Sequence, residues 1–227
     1  MIPSLQKTYN ASANTATRHR VLRNTYWLLA LSMIPTVLGA FVGLQTALPI
    51  FSGGLGFLLF FAIAFGFIFA IEKTKHSAAG VPVLLGFTFF MGLMLSRLIS
   101  VTLGYSNGGA LIMTAFGGTA AIFGVMATVA TVSKRDFSGM GKFLFVGVLV
   151  ILAASVLNIF LHLSALYLVV SVLAIGIFSA YILYDVQQVI NGGETNYITA
   201  TLAIYLDLYN IFVNLLSLLG IFGGERD

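Results

Sequence analysis

The sequence predicts an all-α integral membrane protein with seven transmembrane helices, and three observations predict it. Hydrophobic residues make up 59% of the 227-residue chain and charged residues 8%, where a soluble domain carries about 25% charged residues. Seven apolar runs are each long enough to cross a hydrocarbon core of ~30 Å, which takes about 20 helical residues. The last run, Tyr197–Phe222, carries Asp207 near its middle, with Asn210, Asn214 and Ser217 at i+3, i+7 and i+10. That spacing is one face of a helix. An Asp at a helix centre costs roughly 2.5–3.5 kcal/mol to insert, so this face turns from lipid and the other spans pack around the last helix.

The chain begins with a polar stretch, residues 1–25, rich in Ser, Thr, Asn and Ala and holding Lys7, Arg18, Arg20 and Arg23. Its composition predicts a largely disordered tail. The tail serves as an orientation signal or as a handle for a partner or protease. The first span is too long for the apolar core of a signal peptide. The bundle covers residues 26–222, with spans at 26–48, 51–71, 80–100, 109–132, 142–163, 165–189 and 197–222, and residues 223–227 form a short C-terminus. Short connections at Pro49–Ile50 and at His162–Ser164 force antiparallel neighbours. Pro35 predicts a kink in the first span, while Pro82 falls in the first turn of the third, where proline is tolerated. Gly117, Gly118, Ala121 and Gly124 predict close helix approach along the fourth span. Ser155, Asn158 and His162 form a polar stripe on the fifth, placed to pair with the Asn residues of the seventh.

Lys and Arg set the orientation. The tail, the 72–79 loop (Lys73, Lys75) and the 133–142 stretch (Lys134, Arg135, Lys142) hold nine, against Arg97 and Arg226 on the other side. The N-terminus is therefore expected in the cytoplasm, and an odd number of spans puts the C-terminus outside. The 190–196 loop, which should be cytoplasmic, has neither Lys nor Arg.

Chemistry concentrates in two acids. Asp185 lies near the cytoplasmic end of the sixth span, with Tyr181 (i−4) and Gln188 (i+3) on its face. Asp207 lies ~15 Å into the seventh from the same side. The NGGETN turn between them makes the two helices antiparallel neighbours, so the carboxyls can face each other. At ~6 Å and an effective dielectric near 20 their repulsion is about 3 kcal/mol, so the pair is expected to share a proton and titrate as a unit. The same oxygens suit a cation such as Ca²⁺. Alternatively each acid is hydrogen-bonded to Tyr, Asn or backbone and only fixes packing.

Other chemistries find little support. Arg97 either snorkels to the interface or serves as countercharge to the pore. His19, His76 and His162 show no metal-ligand spacing. The chain has no cysteine, which excludes disulfides, Cys-held metals and a Cys nucleophile. Ser52 and Ser138 lack the surroundings of an intramembrane serine protease, and no Lys lies mid-span to carry retinal. With no nucleophile–base arrangement and no cofactor motif, the chain is not expected to be an enzyme.

Several stretches carry a resemblance. AFGGTAAIF (Ala115–Phe123), NIF (Asn158–Phe160), AYILYDVQQVI (Ala180–Ile190) and IYLDLYNIFVNLLSLLGI (Ile204–Ile221) are similar to the Bax-inhibitor (transmembrane Bax-inhibitor-motif) family along nearly the whole chain. The resemblance implies a bacterial inner-membrane protein with six helices around a central seventh. One branch of that family leaks calcium through a pH-sensitive latch of two buried aspartates, and Asp185 and Asp207 stand at those positions. The second span departs from that branch, having no Arg or Glu within Phe51–Ile71. RHRVLRNTYWLL (Arg18–Leu29) and NGGETNYITAT (Asn191–Thr201) resemble a second branch, which modulates the membrane protease FtsH and engages it through a cytoplasmic N-terminal tail. The resemblance therefore implies FtsH as partner and, as alternative, a pH-gated calcium or cation leak.

Overall fold

The computed structural model describes the backbone of residues 3–46 and 53–225, and side chains from Thr17 onward within them. The Pro49–Ile50 connection, Ser52, Arg226 and the side chain of Lys7 lie outside the described residues. Seven helices follow in order: α1 Pro3–Thr46, α2 Gly53–Thr74, α3 Gly80–Leu103, α4 Gly108–Val132, α5 Gly141–Leu161, α6 Ser164–Asn191 and α7 Tyr197–Gly223. All seven are long and apolar enough to cross a membrane. A helix suits such a span because every backbone N–H and C=O is satisfied within its own segment.

The tail departs from expectation. α1 is one helix of 44 residues, about 66 Å long at 1.5 Å per residue, and its stretch Thr17–Thr46 is long and apolar enough to span. The polar stretch expected to be disordered instead continues α1. Once a span supplies the nucleus, each added turn costs little, and Leu, Gln, Lys and Ala extend a helix readily. The helix also runs unbroken through Pro35.

Packing places α7 against α1, α2, α3, α4 and α6. α5 packs on α6 and on the single 3₁₀ turn before it, Ser138–Met140. Five helices therefore touch α7 among the described residues, and α5 does not. Tyr205 is the largest fully buried side chain, 1% exposed. Its hydroxyl meets Thr36 Oγ1 of α1 at 2.9 Å and donates to the Thr88 carbonyl of α3 at 3.4 Å, pinning three helices at one point.

Close approach occurs between α1 and α3, away from the position the fourth-span glycines predict. A Cβ on Gly39 would stand 2.1 Å from the Phe89 carbonyl oxygen, and one on Gly92 would stand 2.0 Å from that of Thr36. A Cβ on Gly117 or Gly124 would meet nothing within 4 Å, and Gly118 faces only the Leu215 side chain. The fourth-span glycines thus do not mark a backbone contact within this chain.

Both ends of the bundle are tied. At one end Ser106 and Asn107, between α3 and α4, bond the C-terminal segment: Asn107 Nδ2 donates to the Gly223 carbonyl at 2.6 Å and Glu225 N–H donates back to Asn107 Oδ1 at 3.2 Å. The other end, rich in Lys and Arg, carries the candidate site.

Candidate functional site

α6 closes in a Schellman turn. Gly192, at φ +81°, adopts the left-handed conformation that glycine permits, and Gly193 N–H reaches the Gln188 carbonyl at 2.8 Å. Four residues later Asn196 starts α7. Its Oδ1 accepts from Ile198 and Thr199 N–H at 2.8 and 3.3 Å, while its Nδ2 donates to the Lys75 carbonyl at 2.8 Å. This turn holds α6 and α7 antiparallel, as the NGGETN stretch predicts.

The turn brings the two acids together. Asp185 and Asp207 lie within interaction distance of each other across the α6–α7 seam. Asp207 is 4% exposed, and its Oδ2 finds no hydrogen-bond partner among the described residues. Two carboxylates have no donor between them, so a hydrogen bond joining them needs a proton on one. Tyr181 lies within electrostatic reach of both carboxyls.

A cavity of about 250 Å³ at the basic end is lined by Asp185, Gln188, Tyr184, Glu194, Thr199 and Ala203 among others, with Asp207 off its wall. Its lining is rich in oxygen. No third acid or histidine completes a metal cluster with the pair among the described residues. A Ca²⁺ ion, which takes six to eight oxygens, would add hydroxyls, carbonyls or water to Asp185 and Asp207.

The remaining site residues divide. Gln188 lies on the cavity wall as its spacing predicts. Asn210 and Asn214 turn back along α7, donating to the carbonyls of Leu206 and Asn210 at 2.8 Å each. They satisfy themselves on their own helix, which is the cheapest bond available to a polar side chain inside a span. Asn158 does not belong to the site. Its Oδ1 accepts from Leu163 N–H at 3.0 Å and its carbonyl from His162 N–H at 2.9 Å, closing α5 through left-handed His162 at φ 53°. The stripe on α5 therefore ends a helix that never reaches α7. Arg97 is exposed on α3, beyond the mid-bundle level of Tyr205.

Gln187, one residue from the predicted Gln188, was not expected at the site. It is 4% exposed. Its Oε1 accepts from Phe137 N–H and its Nε2 donates to the Arg135 carbonyl at 2.7 Å, so it clamps the α4–α5 connection onto α6 beside Asp185. In that connection Ser138 donates its hydroxyl and amide to Asp136 Oδ1 at 2.6 and 2.9 Å, which holds the Asp136 carboxyl below its ordinary range. A lowered value means that this turn is fully stabilised above the ordinary carboxylate pKa and loosens as pH falls through the folded one. Gln187→Ala removes both side-chain bonds to the partly exposed connection, and is expected to cost about 1 kcal/mol. Thermal unfolding in detergent measures the loss, and proteolysis should cut the Ser133–Phe137 stretch sooner.

An antiparallel seven-helix membrane bundle with an acid pair, one member of it buried, where its last two helices meet is the class this geometry defines. The family profile described as inhibitor of apoptosis-promoting Bax1 matches residues 18–224, and the chain belongs to this Bax-inhibitor family. It is 39% identical over 202 residues, 89% of this chain and 90% of the relative, to the modulator of FtsH protease YccA of Escherichia coli. In a second strain the same protein bears the name inner membrane protein YccA. An uncharacterised protein of Neisseria meningitidis is 35% identical over 221 residues, 96% and 97% of the two chains. One of Pseudomonas aeruginosa is 37% identical over 208 residues, 90% of each. These names describe an inhibitor, a modulator and a membrane protein, and none describes catalysis.

Proposed function

We propose that this chain is an inner-membrane modulator of the FtsH protease, with its N-terminus in the cytoplasm and its C-terminus outside. The observation that carries this reading is the likeness to YccA over about nine-tenths of both chains. The chain would offer FtsH its N-terminal segment and then resist extraction, occupying the protease without being consumed quickly. The handle in this reading is the polar N-terminal segment with which α1 begins. In cells, the full chain is expected to slow FtsH cleavage of a second membrane substrate, and deletion of residues 2–20 to restore the rate seen without the modulator. Undiminished inhibition by the truncated chain, at equal abundance, overturns the reading.

One observation favours a second reading, a pH-gated leak for calcium or another cation. Asp207 Oδ2 is buried without a hydrogen-bond partner among the described residues, and Asp185 beside it lines the cavity. In this reading a shared proton holds α6 and α7 together, and its loss, or the arrival of a cation, parts them. The pair is then the pH sensor and gate, with Tyr181 and Gln188 around it.

A further inference from the structure

One connection at the basic end breaks the pattern of its neighbours. Lys73 and Lys75 stand where α2 ends, Lys134 and Arg135 follow α4 with Lys142 just beyond, and Arg18, Arg20 and Arg23 lie along α1. The α6–α7 turn, residues 192–196, has neither Lys nor Arg and carries Glu194. That turn is the rim of the cavity of about 250 Å³, which Glu194 lines together with Asp185, Gln188 and Thr199. Glu194 Oε1 accepts from Asn196 N–H at 2.7 Å, which holds the carboxylate on the turn, within electrostatic reach of Asp185. Two cations approach the turn without pairing with it. Lys75, whose carbonyl accepts from Asn196 Nδ2 at 2.8 Å, places its ammonium on Glu72 Oε1 at 2.5 Å. The Arg18 guanidinium lies over Gly192, off the cavity wall. Glu194 thus forms no ion pair among the described residues.

We propose that Glu194 makes the mouth of this cavity negative on an otherwise positive face, and so draws cations and repels anions on the approach to Asp185. This deepens the second reading and rests on it, since a cation that meets the acids through the cavity passes Glu194 first. The role is attraction rather than coordination. A carboxylate on the rim of a cavity with low-dielectric walls focuses its field inward. Arg18, Arg20, Arg23, Lys134, Arg135 and Lys142 are exposed, and water and salt screen them. The missing Lys and Arg of this turn answer to the same need, because a cation on the rim would cancel the field at the mouth. Glu194→Gln removes the charge and keeps an oxygen to accept from Asn196 N–H, so the turn is expected to hold.

The chain has no cysteine, so a single one introduced at Ala203, on the cavity wall about one turn beyond Thr199, reports the local potential. Purified Ala203→Cys protein in neutral detergent is labelled with two methanethiosulfonates of similar size, one bearing an ethyltrimethylammonium group and the other an ethylsulfonate. The ratio of their rates, referred to that with a free thiol in solution, cancels the ionisation of the cysteine itself. The cationic reagent is expected to lead, and Glu194→Gln to cut its lead about threefold, because the two reagents differ by two charges. Salt at about 1 M, where the screening length is about 3 Å, should erase most of that difference. A cysteine at Ser138, which lines a separate cavity with Lys142 and Phe145, should keep its ratio when Glu194 is changed. An unchanged ratio at Ala203→Cys, or an equal fall at Ser138→Cys, overturns the proposal. The readout needs no ion flux. A chain that passes no Ca²⁺ yet shows the threefold change loses the leak reading and keeps the negative mouth, and a chain that leaks with an unchanged ratio does the reverse.

Discussion

Gly92→Leu is expected to abolish folding, and Gly92→Ala to lower stability by about 3 kcal/mol, the upper part of the range for overpacked cores. The obstacle is backbone on the facing helix: a Cβ at Gly92 would stand 2.0 Å from the Thr36 carbonyl oxygen, 2.8 Å from its carbon and 3.0 Å from the Ala40 nitrogen. A flexible side chain can swing aside, but a helix backbone moves only if the whole of α1 moves. Gly39 stands against Phe89 in the same way from the other side, and Gly43 meets Ser96, so the two helices cannot share the strain by sliding. Gly117→Ala and Gly124→Ala, with open space around their Cβ positions, should fall within about 0.5 kcal/mol of the parent. Unfolding midpoints in detergent, followed by circular dichroism, separate the two groups. A mild effect at Gly92 together with a large one at Gly117 would contradict this account of the core.

Asp185→Asn and Asp207→Asn are expected to remove the pH response of cation flux, if the acids gate as the second reading holds. In proteoliposomes the parent chain should pass Ca²⁺ roughly tenfold faster near pH 8 than near pH 5, a bias of about 1.4 kcal/mol between closed and open forms. The sign follows from the pair. A shared proton bridges the carboxyls and closes the α6–α7 seam, and its loss leaves two like charges that push the helices apart. Asparagine keeps the shape and a donor but cannot ionise, so each variant should stay at the low-pH rate throughout. Flux no greater than through empty liposomes would leave the acids as packing devices and place the function with the tail and the protease. A pH response that survives both substitutions would assign the sensor elsewhere.

The spans were legible because crossing a bilayer demands a long apolar run, and such a run needs no knowledge of its neighbours. Their ends shifted where helices outlast the hydrocarbon: α2 continues through Glu72 and Lys73 to Thr74, and α3 through Val101 to Leu103. The meeting of Asp185 and Asp207 was also legible, since a short turn fixes which two helices lie side by side. The direction each face looks was less accessible. Gln187 and Gln188 differ by 100° around one helix, and only the position of the α4–α5 connection decides which is clamped and which lines the cavity. The fourth-span glycines looked like a helix contact, but the contact belongs to Gly39, Gly43, Gly92 and Ser96, whose i, i+4 spacing in both α1 and α3 was equally visible in the sequence. Asn158 was misplaced because a polar residue near a helix end serves the end as readily as a neighbour. The polar tail offered no apolar pattern to announce that it prolongs α1.

The unbroken course of α1 has a mechanical consequence. A load applied at the N-terminus runs down the axis of one helix and arrives at the α1–α3 crossing parallel to the contact. Parting two helices in that direction is shear: the glycine seats, with backbone lodged against backbone, must all give way at once. A load that lifted one end would instead peel them apart seat by seat, at a far lower force. A motor that pulls on this tail therefore meets the bundle along its strongest direction.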